Sequence, residues 1–251
     1  MFPALFTEAT MKEYEKYEQI LKEKYPCRIE LHAHTKPASH CADFEPEEVV
    51  EKYAAKGYDG IVITNHFPGG YEYLGKEAFF EQYFGNFERA FKKGEELGIR
   101  VYLAAELRFT KDDAPDNDYL LYGCTKDDLL RCYDLIDLSF KDFVRTFIEE
   151  RHTLIQAHPM RANMVVCDSD LVDGYESFNL HPSHNASISL ATRHADRCGK
   201  LVTAGTDFHH PGHEGCAAVR FAKLPQDETE LAAMIKENDF LIEIENRILI
   251  P

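Results

Sequence analysis

Short apolar runs alternate with amphipathic segments along most of the chain. Gly60–Thr64 (GIVIT) is rich in β-branched residues, which is typical of a buried strand, whereas Lys76–Leu97 repeats apolar residues at helical spacing up to Gly98. The same criteria predict further strands at Arg28–Leu31, Arg100–Leu107, Tyr119–Tyr122, Thr153–Gln156, Gly174–Phe178, Leu201–Ala204, Phe240–Ile244 and Arg247–Ile250. They predict further helices at 8–24, Glu47–Lys56, Asp127–Asp137, Lys141–Arg151, Ser187–Cys198 and Glu228–Lys236.

This alternation predicts an α/β fold. Strands that alternate with helices are typical of βα units in a parallel sheet. About seven such strands fall within roughly 225 residues, which favours a closed or nearly closed barrel over an open sheet. The 251 residues contain no linker or internal repeat. We therefore expect one domain over 1–251, with an N-terminal helical extension at 1–26 and a C-terminal helix and strands at 225–251.

The charge balance narrows the possible partners. The chain has 28 basic and 44 acidic residues and a net charge of −16. Long nucleic acids and anionic membrane surfaces are therefore not expected as partners, because Lys and Arg hold them. A small phosphate ester remains possible, since bound metal ions can supply positive charge locally.

The remaining composition points to the cytoplasm. No stretch approaches the roughly 20 apolar residues of a membrane span. The N-terminus lacks the basic and apolar regions of a signal peptide. The seven cysteines are scattered and include no C-x-x-C pair, which argues against a disulfide framework or a zinc ribbon. The sequence does not determine the oligomeric state.

Acidic and histidine side chains follow five of the predicted strands. His32 and His34 are two residues apart on the first strand, so their side chains point to the same face. Parallel strands bring their carboxyl ends, where function gathers in such barrels, to one place. The candidate ligands at or near these ends are His32, His34, His40, His66, Glu106, His158, Asp207 and His209.

This set favours a metal centre over separate structural roles. A lone histidine at a strand end is usually a hydrogen-bonding structural group, but six of the twelve histidines recur at equivalent places. A catalytic zinc needs about three protein ligands, so eight candidates suffice for two or three divalent ions. Imidazole with carboxylate suits Zn, Mn or Fe.

The sequence motifs at these positions resemble those of the polymerase and histidinol phosphatase (PHP) superfamily. They are LHAHT with a histidine six residues later, ITNH, a strand-end Glu, QAHP and GTDFH. The resemblance runs from about Arg28 to His213. It implies a distorted (β/α)7 TIM-like barrel with an N-terminal helix here, a di- or trinuclear metal centre and hydrolysis of phosphate esters.

The resemblance also implies ligand sets. It assigns one ion to His32, His34, Glu106 and Asp207, a second to His40, His66 and His209, and part of a third site to His158 with Glu106. The catalytic residues are then His32, His34, Glu106, Asp207 and His209. The family often supplies a further histidine from the strand after the Glu; here that strand has none, and either Cys124 substitutes or the position is vacant. Asn185, nine residues after Glu176, matches a polar pair of the family.

The resulting hypothesis is metal-dependent hydrolysis of a small phosphomonoester, histidinol-phosphate-like or nucleotide-like. Arg161 and Arg108 are candidate phosphate contacts because a guanidinium forms bidentate hydrogen bonds. Two alternatives remain: an amidohydrolase-type C–N hydrolase, which also begins with H-x-H, and a non-catalytic metal-binding module. The sequence does not identify the substrate, the metal or the general acid.

Overall fold

The computed structural model describes residues 8–69, 74–109 and 117–249. They form seven α-helices: α1 Glu8–Lys24, α2 Pro46–Ala55, α3 Lys76–Leu97, α4 Lys126–Leu135, α5 Phe140–Phe147, α6 Ile188–Cys198 and α7 Glu228–Glu237. The twelve strands are β1 Cys27–Ala33, β2 Gly60–Ile63, β3 His66–Phe67, β4 Arg100–Leu103, β5 Ala105–Arg108, β6 Asp118–Tyr122, β7 Thr153–Gln156, β8 Gly174–Asn179, β9 Leu201–Gly205, β10 Ala217–Phe221, β11 Phe240–Ile244 and β12 Arg247–Ile248. Residues 1–7 of the predicted extension and Ile250 of the predicted last strand lie outside the described residues.

The strands form two mixed six-stranded sheets. Their orders are β12-β11-β10-β1-β2-β4 and β3-β5-β6-β7-β8-β9. The predicted strand Arg100–Leu107 is divided at Ala104, so that β4 pairs with β2 in one sheet and β5 pairs with β3 and β6 in the other. Between β1 and the segment after β9, the described residues form one isolated bridge, Ala33 with Phe208. The two sheets are not closed, and the predicted TIM-like barrel is not confirmed.

The prediction of a parallel sheet is wrong for several strands. β6 is antiparallel to both β5 and β7. The nine residues between β5 and β6 are too few for a crossover helix, which needs about a dozen or more residues. β10 and β11 are also paired antiparallel, and β10 was not predicted because the buried Arg220 interrupts its apolar pattern.

Alternate residues of the strands face two separate hydrophobic cores. Ile29, Leu31 and Val62 belong to a core that includes α7, which begins after the N-cap Asp227. Ile61 and Ile63 face the other core, under the aromatic side chains of α3 and α5. The hydroxyl of Thr153, at the start of β7, donates a hydrogen bond to the Ala232 carbonyl of α7. Helix α7 therefore lies at the amino end of β7, and the polar residue His158 follows the carboxyl end of this strand.

Two further predictions concern disulfide bonds and membrane-spanning helices. All seven cysteines carry free thiols. Within the described residues, no helix combines the length and the hydropathy needed to cross a bilayer.

Candidate metal centre

Seven of the eight predicted ligands converge at the carboxyl ends of β1, β7 and β9 and beside β3 and β5. His32 and His34 are fully buried, and their Nε2 atoms lie 3.0 Å apart. The two-residue spacing on β1 therefore produces the predicted pair of neighbouring imidazoles.

The Glu106 carboxylate lies at the middle of this cluster. Its Oε1 lies 3.4 Å from His32 Nε2 and 3.2 Å from His158 Nε2. Its Oε2 lies 2.7 Å from His66 Nδ1 and 3.4 Å from His34 Nε2. The contact with His66 follows from the sheet register, because His66 of β3 is paired with Glu106 of β5. One carboxylate thus faces four imidazoles.

Asp207 approaches the same histidines from β9. Its Oδ1 lies 3.4 Å from the Nε2 atoms of both His32 and His34 and 3.3 Å from His209 Nδ1. Asp207 has a φ of 53° and His158 a φ of 30°. Non-glycine residues rarely adopt such values, and they cluster at functional sites where the surroundings hold them.

The donor atoms form three overlapping groups, each within 4.8 Å: His34, His66 and His209; His32, His34 and Glu106; and Glu106, Asp118 and His158. Glu106 Oε2 is buried and faces His66 Nδ1 and His34 Nε2 without a well-aligned hydrogen bond to either, and His158 Nδ1 is buried without a hydrogen-bond partner. Because buried polar atoms are normally paired, such atoms in a cluster of donors fit a bound cation or water.

The carboxylates and histidines of the cluster shift one another's pKa values. Burial would raise the pKa of Glu106, but His66 and His32 hold it well below its usual range. Burial would likewise raise the pKa of Asp207, yet the neighbouring histidines lower it well below the usual range. Burial, together with His209 and His66, lowers the pKa of His34 well below its usual value. Ionised carboxylates and a neutral imidazole are the protonation states that bind metal.

Glu176 and Asn179 on β8 support the ligands from behind. Glu176 Oε1 lies 2.8 Å from His32 Nδ1, which leaves His32 Nε2 facing the cluster. The Asn179 amide donates to Glu176 Oε2 at 2.9 Å and to Asp207 Oδ2 at 3.2 Å. Gly205 is required beside them, because a Cβ there would overlap Glu176 Oε1 and His32 Cβ. Carboxylate–histidine pairs of this kind fix the ring that a metal binds.

Several residues were missed or misplaced by the sequence analysis. Asp118 belongs to the third group of donors because β6 runs antiparallel and begins at the site. Cys124 lies beyond the opposite end of β6, buried against the carbonyls of Leu103 and Leu121, so it cannot substitute for a ligand. Asn179, three residues after Glu176, donates a hydrogen bond to the Glu176 carboxylate, whereas the Asn185 side chain accepts from the Ser187 amide.

His40 is exposed and belongs to none of the three groups found among the described residues. The next residue, Cys41, lines the cavity instead, although its side chain is also exposed. Burial would raise the pKa of this thiol, but His209 and His66 lower it to about 6.

The cluster opens into a cavity of about 360 Å³. Both predicted phosphate contacts line it, but Arg108 is held by Asp118 in a bidentate pair at 2.6 and 2.7 Å. Arg161 follows His158 in a tight turn, with its amide donating to the His158 carbonyl. His181 and His184, stacked with ring centroids 4.3 Å apart, form another part of the wall.

Comparisons with known proteins find solved structures of similar fold. A two-domain protein from Bacteroides vulgatus, described as containing a predicted PHP-like metal-dependent phosphoesterase, matches with a TM-score of 0.63 and 13% identity over 88% of this chain and 66% of that one. PsfC from Pseudomonas syringae matches with a TM-score of 0.58 and 15% identity over 83% and 87% of the two chains. An amidohydrolase from Chromobacterium violaceum, with bound sulfate and no metal, matches with a TM-score of 0.50 and 16% identity over 74% and 89%.

At these identities the solved structures establish the fold alone. A comparison with curated proteins finds no match. The PHP domain family model, however, matches residues 30–247, which include all of the ligand cluster. The chain therefore belongs to the PHP domain family.

Proposed function

We propose that this protein is a metal-dependent phosphomonoesterase acting on a small phosphorylated substrate. The observation that carries the proposal is the Glu106 carboxylate, which is shared by two of the three donor groups and contacts the third through His66. Adjacent groups that share one carboxylate suit two or three divalent ions at close range, the arrangement used for phosphoryl chemistry.

The residues fit such ions. His32, His34, Glu106 and Asp207 would hold one, His66 and His209 would hold a second beside His34, and Glu106, His158 and Asp118 would hold a third. Zn, Mn and Fe all accept imidazole with carboxylate. Bound there, the ions would lower the pKa of a water molecule and neutralise charge on the phosphoryl oxygens.

The rest of the cavity supplies the contacts for the ester itself. Arg161 offers a guanidinium to the phosphate. The Ser183 amide donates to His181 Nδ1 at 3.2 Å, so in the neutral ring Nε2 carries the proton. Burial lowers the pKa of His181 to about 4, which keeps this ring neutral at pH 7. His181 is therefore a hydrogen-bond donor on the cavity wall, suited to an ester oxygen.

Arg108 has a different role in this proposal. Its bidentate pair with Asp118 neutralises a buried carboxylate of the third donor group. Burial raises the pKa of Asp118, and Arg108 opposes that rise. We therefore assign the main phosphate contact to Arg161.

The test is phosphate release by protein reloaded with Mn or Zn. The panel contains histidinol phosphate, mononucleotides, nucleoside bisphosphates, phosphotyrosine and an aryl phosphate, with Asp207→Ala as the control. Release that a chelator abolishes and that Asp207→Ala lacks would support the proposal. Metal binding without release from any ester would overturn it, and amide substrates would then test C–N hydrolysis, which the match to an amidohydrolase brings forward.

A further inference from the structure

The candidate ligands His32 and Asp207 come from two different sheets. His32 lies on β1, and Asp207 follows the end of β9 by two residues. Within the described part of the chain, backbone pairing between these two segments is limited to the bridge of Ala33 with Phe208, in which the Phe208 amide donates to the His32 carbonyl at 3.2 Å. A single bridge leaves the separation of the two ligands dependent on side-chain contacts.

The Glu30 carboxylate supplies such contacts across the junction between the sheets. Glu30 is fully buried, and its Oε1 accepts from the His32 amide at 3.0 Å and from the Thr206 amide at 2.9 Å. One of these amides belongs to β1 and the other to the residue before Asp207. A single carboxylate oxygen therefore joins the backbones of the two segments at the point where each presents a ligand.

The other oxygen of Glu30 fixes the orientation of the carboxylate itself. Oε2 accepts from the Tyr53 hydroxyl at 2.9 Å and from the Thr206 hydroxyl. Tyr53 lies on α2, and its ring packs edge-on against Phe208 with ring centroids 5.6 Å apart. The Thr206 hydroxyl in turn accepts from the Ala217 amide at 3.2 Å. Rotation of the Glu30 side chain would leave buried donors without an acceptor, which is costly.

We propose that Glu30 is a positioning residue of the metal centre, which sets the separation of His32 from Asp207 and holds Asp207 in its left-handed backbone conformation. The inference rests on the proposed metal centre, in which these two residues hold the same ion. Asp207 has a φ of 53°, and such a residue persists only where its surroundings hold it. Glu30 differs from Glu176, which orients the ring of His32 and not the strand that carries it.

The test compares the metal affinity of Glu30→Met with that of Glu30→Gln. Methionine is similar in length to glutamate but only a weak acceptor, so the two backbone amides lose their common partner. We expect isothermal titration with Zn or Mn to show a Kd raised about tenfold or more in Glu30→Met. In Glu30→Gln the amide oxygen still accepts from both backbones, and the amide nitrogen faces two hydroxyls that can accept. We therefore expect a rise of less than about threefold in this variant.

Glu243→Met is the matched control for a loss of stability alone. Glu243 is another buried carboxylate of the same sheet, but it lies on β11, where Arg28 and Arg220 pair with it at 2.8 and 2.9 Å. We expect this variant to lower the melting temperature and to leave the metal Kd unchanged. A Kd raised as much as in Glu30→Met would assign the effect to general loosening of the fold and overturn the inference.

Two further outcomes would also overturn the inference: wild-type affinity in Glu30→Met, or an equal loss in Glu30→Gln, which would assign the effect to charge. If Glu30→Met does not fold, Thr206→Val replaces it, because this variant removes one contact of Oε2 at nearly constant volume. A Kd raised about threefold there would support the inference, and an unchanged Kd would contradict it.

The same titrations separate this inference from the proposed function. Metal binding that depends on Glu30 as expected, without phosphate release from any ester, would refute the proposed function and leave the inference standing. A wild type that binds neither Zn nor Mn would refute both.

Discussion

Glu176 determines which nitrogen of His32 faces the metal ligands. Its carboxylate accepts from His32 Nδ1 and from the Asn179 amide, and through Asn179 it is connected to Asp207. A ligand whose ring is held in this way loses no orientational freedom when it binds an ion. Residues behind the ligands are thus as much a part of the centre as the ligands themselves.

Removing this support should weaken metal binding. We expect Glu176→Ala to lower metal affinity by roughly 10- to 100-fold, because His32 loses its orienting acceptor. Glu176→Gln is the matched control, since its amide oxygen still accepts from His32 and the loss should be smaller. Isothermal titration with Zn or Mn measures both. Equal affinities in wild type and Glu176→Ala would contradict the role.

His181 should act on the leaving group. We expect His181→Asn to slow hydrolysis of an alkyl phosphate about 10- to 100-fold and to change hydrolysis of an aryl phosphate little, because an aryl leaving group needs less stabilisation. Ser183→Ala is the control, since it keeps the backbone amide that fixes the His181 ring. An equal loss on both esters would mean that His181 serves only to bind phosphate or to support the wall.

At the scale of single residues, the sequence predicted the position of a ligand where two residues close in the chain lie on the same face of a strand. The pair His32 with His34 follows from strand periodicity, whereas Asp207, with its left-handed φ, lies beyond the end of β9. The sequence was not informative about His40, because the direction of a loop side chain depends on contacts distant in the sequence, such as that of the Ser39 hydroxyl with the His66 amide. Asp118 was hidden for another reason: its place depends on the direction of β6.

The amino end of α4 is fixed by a compact set of polar contacts. Thr125 and Asp128 cap the helix reciprocally, and Asp128 also accepts from Arg151 at 2.6 and 2.7 Å. Burial would raise the pKa of Asp128, but Arg151 and Thr125 hold it well below the usual range. This element positions the connection that leads from β6 to β7 and so to His158.

These contacts predict how stability depends on pH. Since the folded-state pKa of Asp128 is depressed, its contribution is present above its unfolded pKa of about 3.9 and is lost as the pH falls toward its folded pKa. We expect Asp128→Asn to lower the free energy of unfolding at pH 7 by about 1–3 kcal/mol and to reduce the acid sensitivity.

Urea unfolding of wild type and variant at pH 7 and pH 3 measures this difference. Asp196→Asn, which removes an exposed pair with Arg193 on α6, serves as the control and should change the free energy of unfolding by less than about 0.5 kcal/mol. A gap between wild type and Asp128→Asn that is the same at both pH values would contradict the assignment.

Elements with strong local signals were predicted closely. Helix α3 has the predicted bounds, from Lys76 to the cap at Gly98, whose φ of 73° is left-handed. Strand Arg100–Leu107 was predicted as one element, whereas Ala104 separates two strands of different sheets. No local pattern distinguishes one continuous strand from two strands of different sheets, because strand pairing is decided by residues distant in the sequence.

On the scale of the whole molecule, the chain has a net charge of −16 and buries several carboxylates. These negative charges repel one another in the folded state. Divalent ions bound at the cluster would relieve this repulsion, and they would bind the folded chain, in which the ligands are assembled. We expect Zn or Mn at about 100 times its Kd to stabilise the fold by about 2.7 kcal/mol.

Thermal unfolding with added metal and with a chelator tests this linkage. Melting temperature should rise with metal in the wild type and rise much less in Asp207→Ala, which lacks a ligand. A metal-independent melting temperature in the wild type would refute metal binding at the cluster.

The course of the chain was the least predictable feature at this scale. The alternation of strands and helices indicated a mixed α/β fold with its polar residues at one end, and both expectations hold. The reversal of β6, the addition of β10 and the open junctions between the two sheets arise from pairings that periodicity does not encode.

The reversed strand has a consequence for how this scaffold diversifies. Because β6 runs opposite to β5, Arg108 at the end of β5 and Asp118 at the start of β6 both line the cavity. Lengthening a flexible connection between two such strand ends is inexpensive, at about 0.6 kcal/mol for each doubling of its length. Related chains could therefore differ in the length of this connection while the cluster of candidate ligands stays the same.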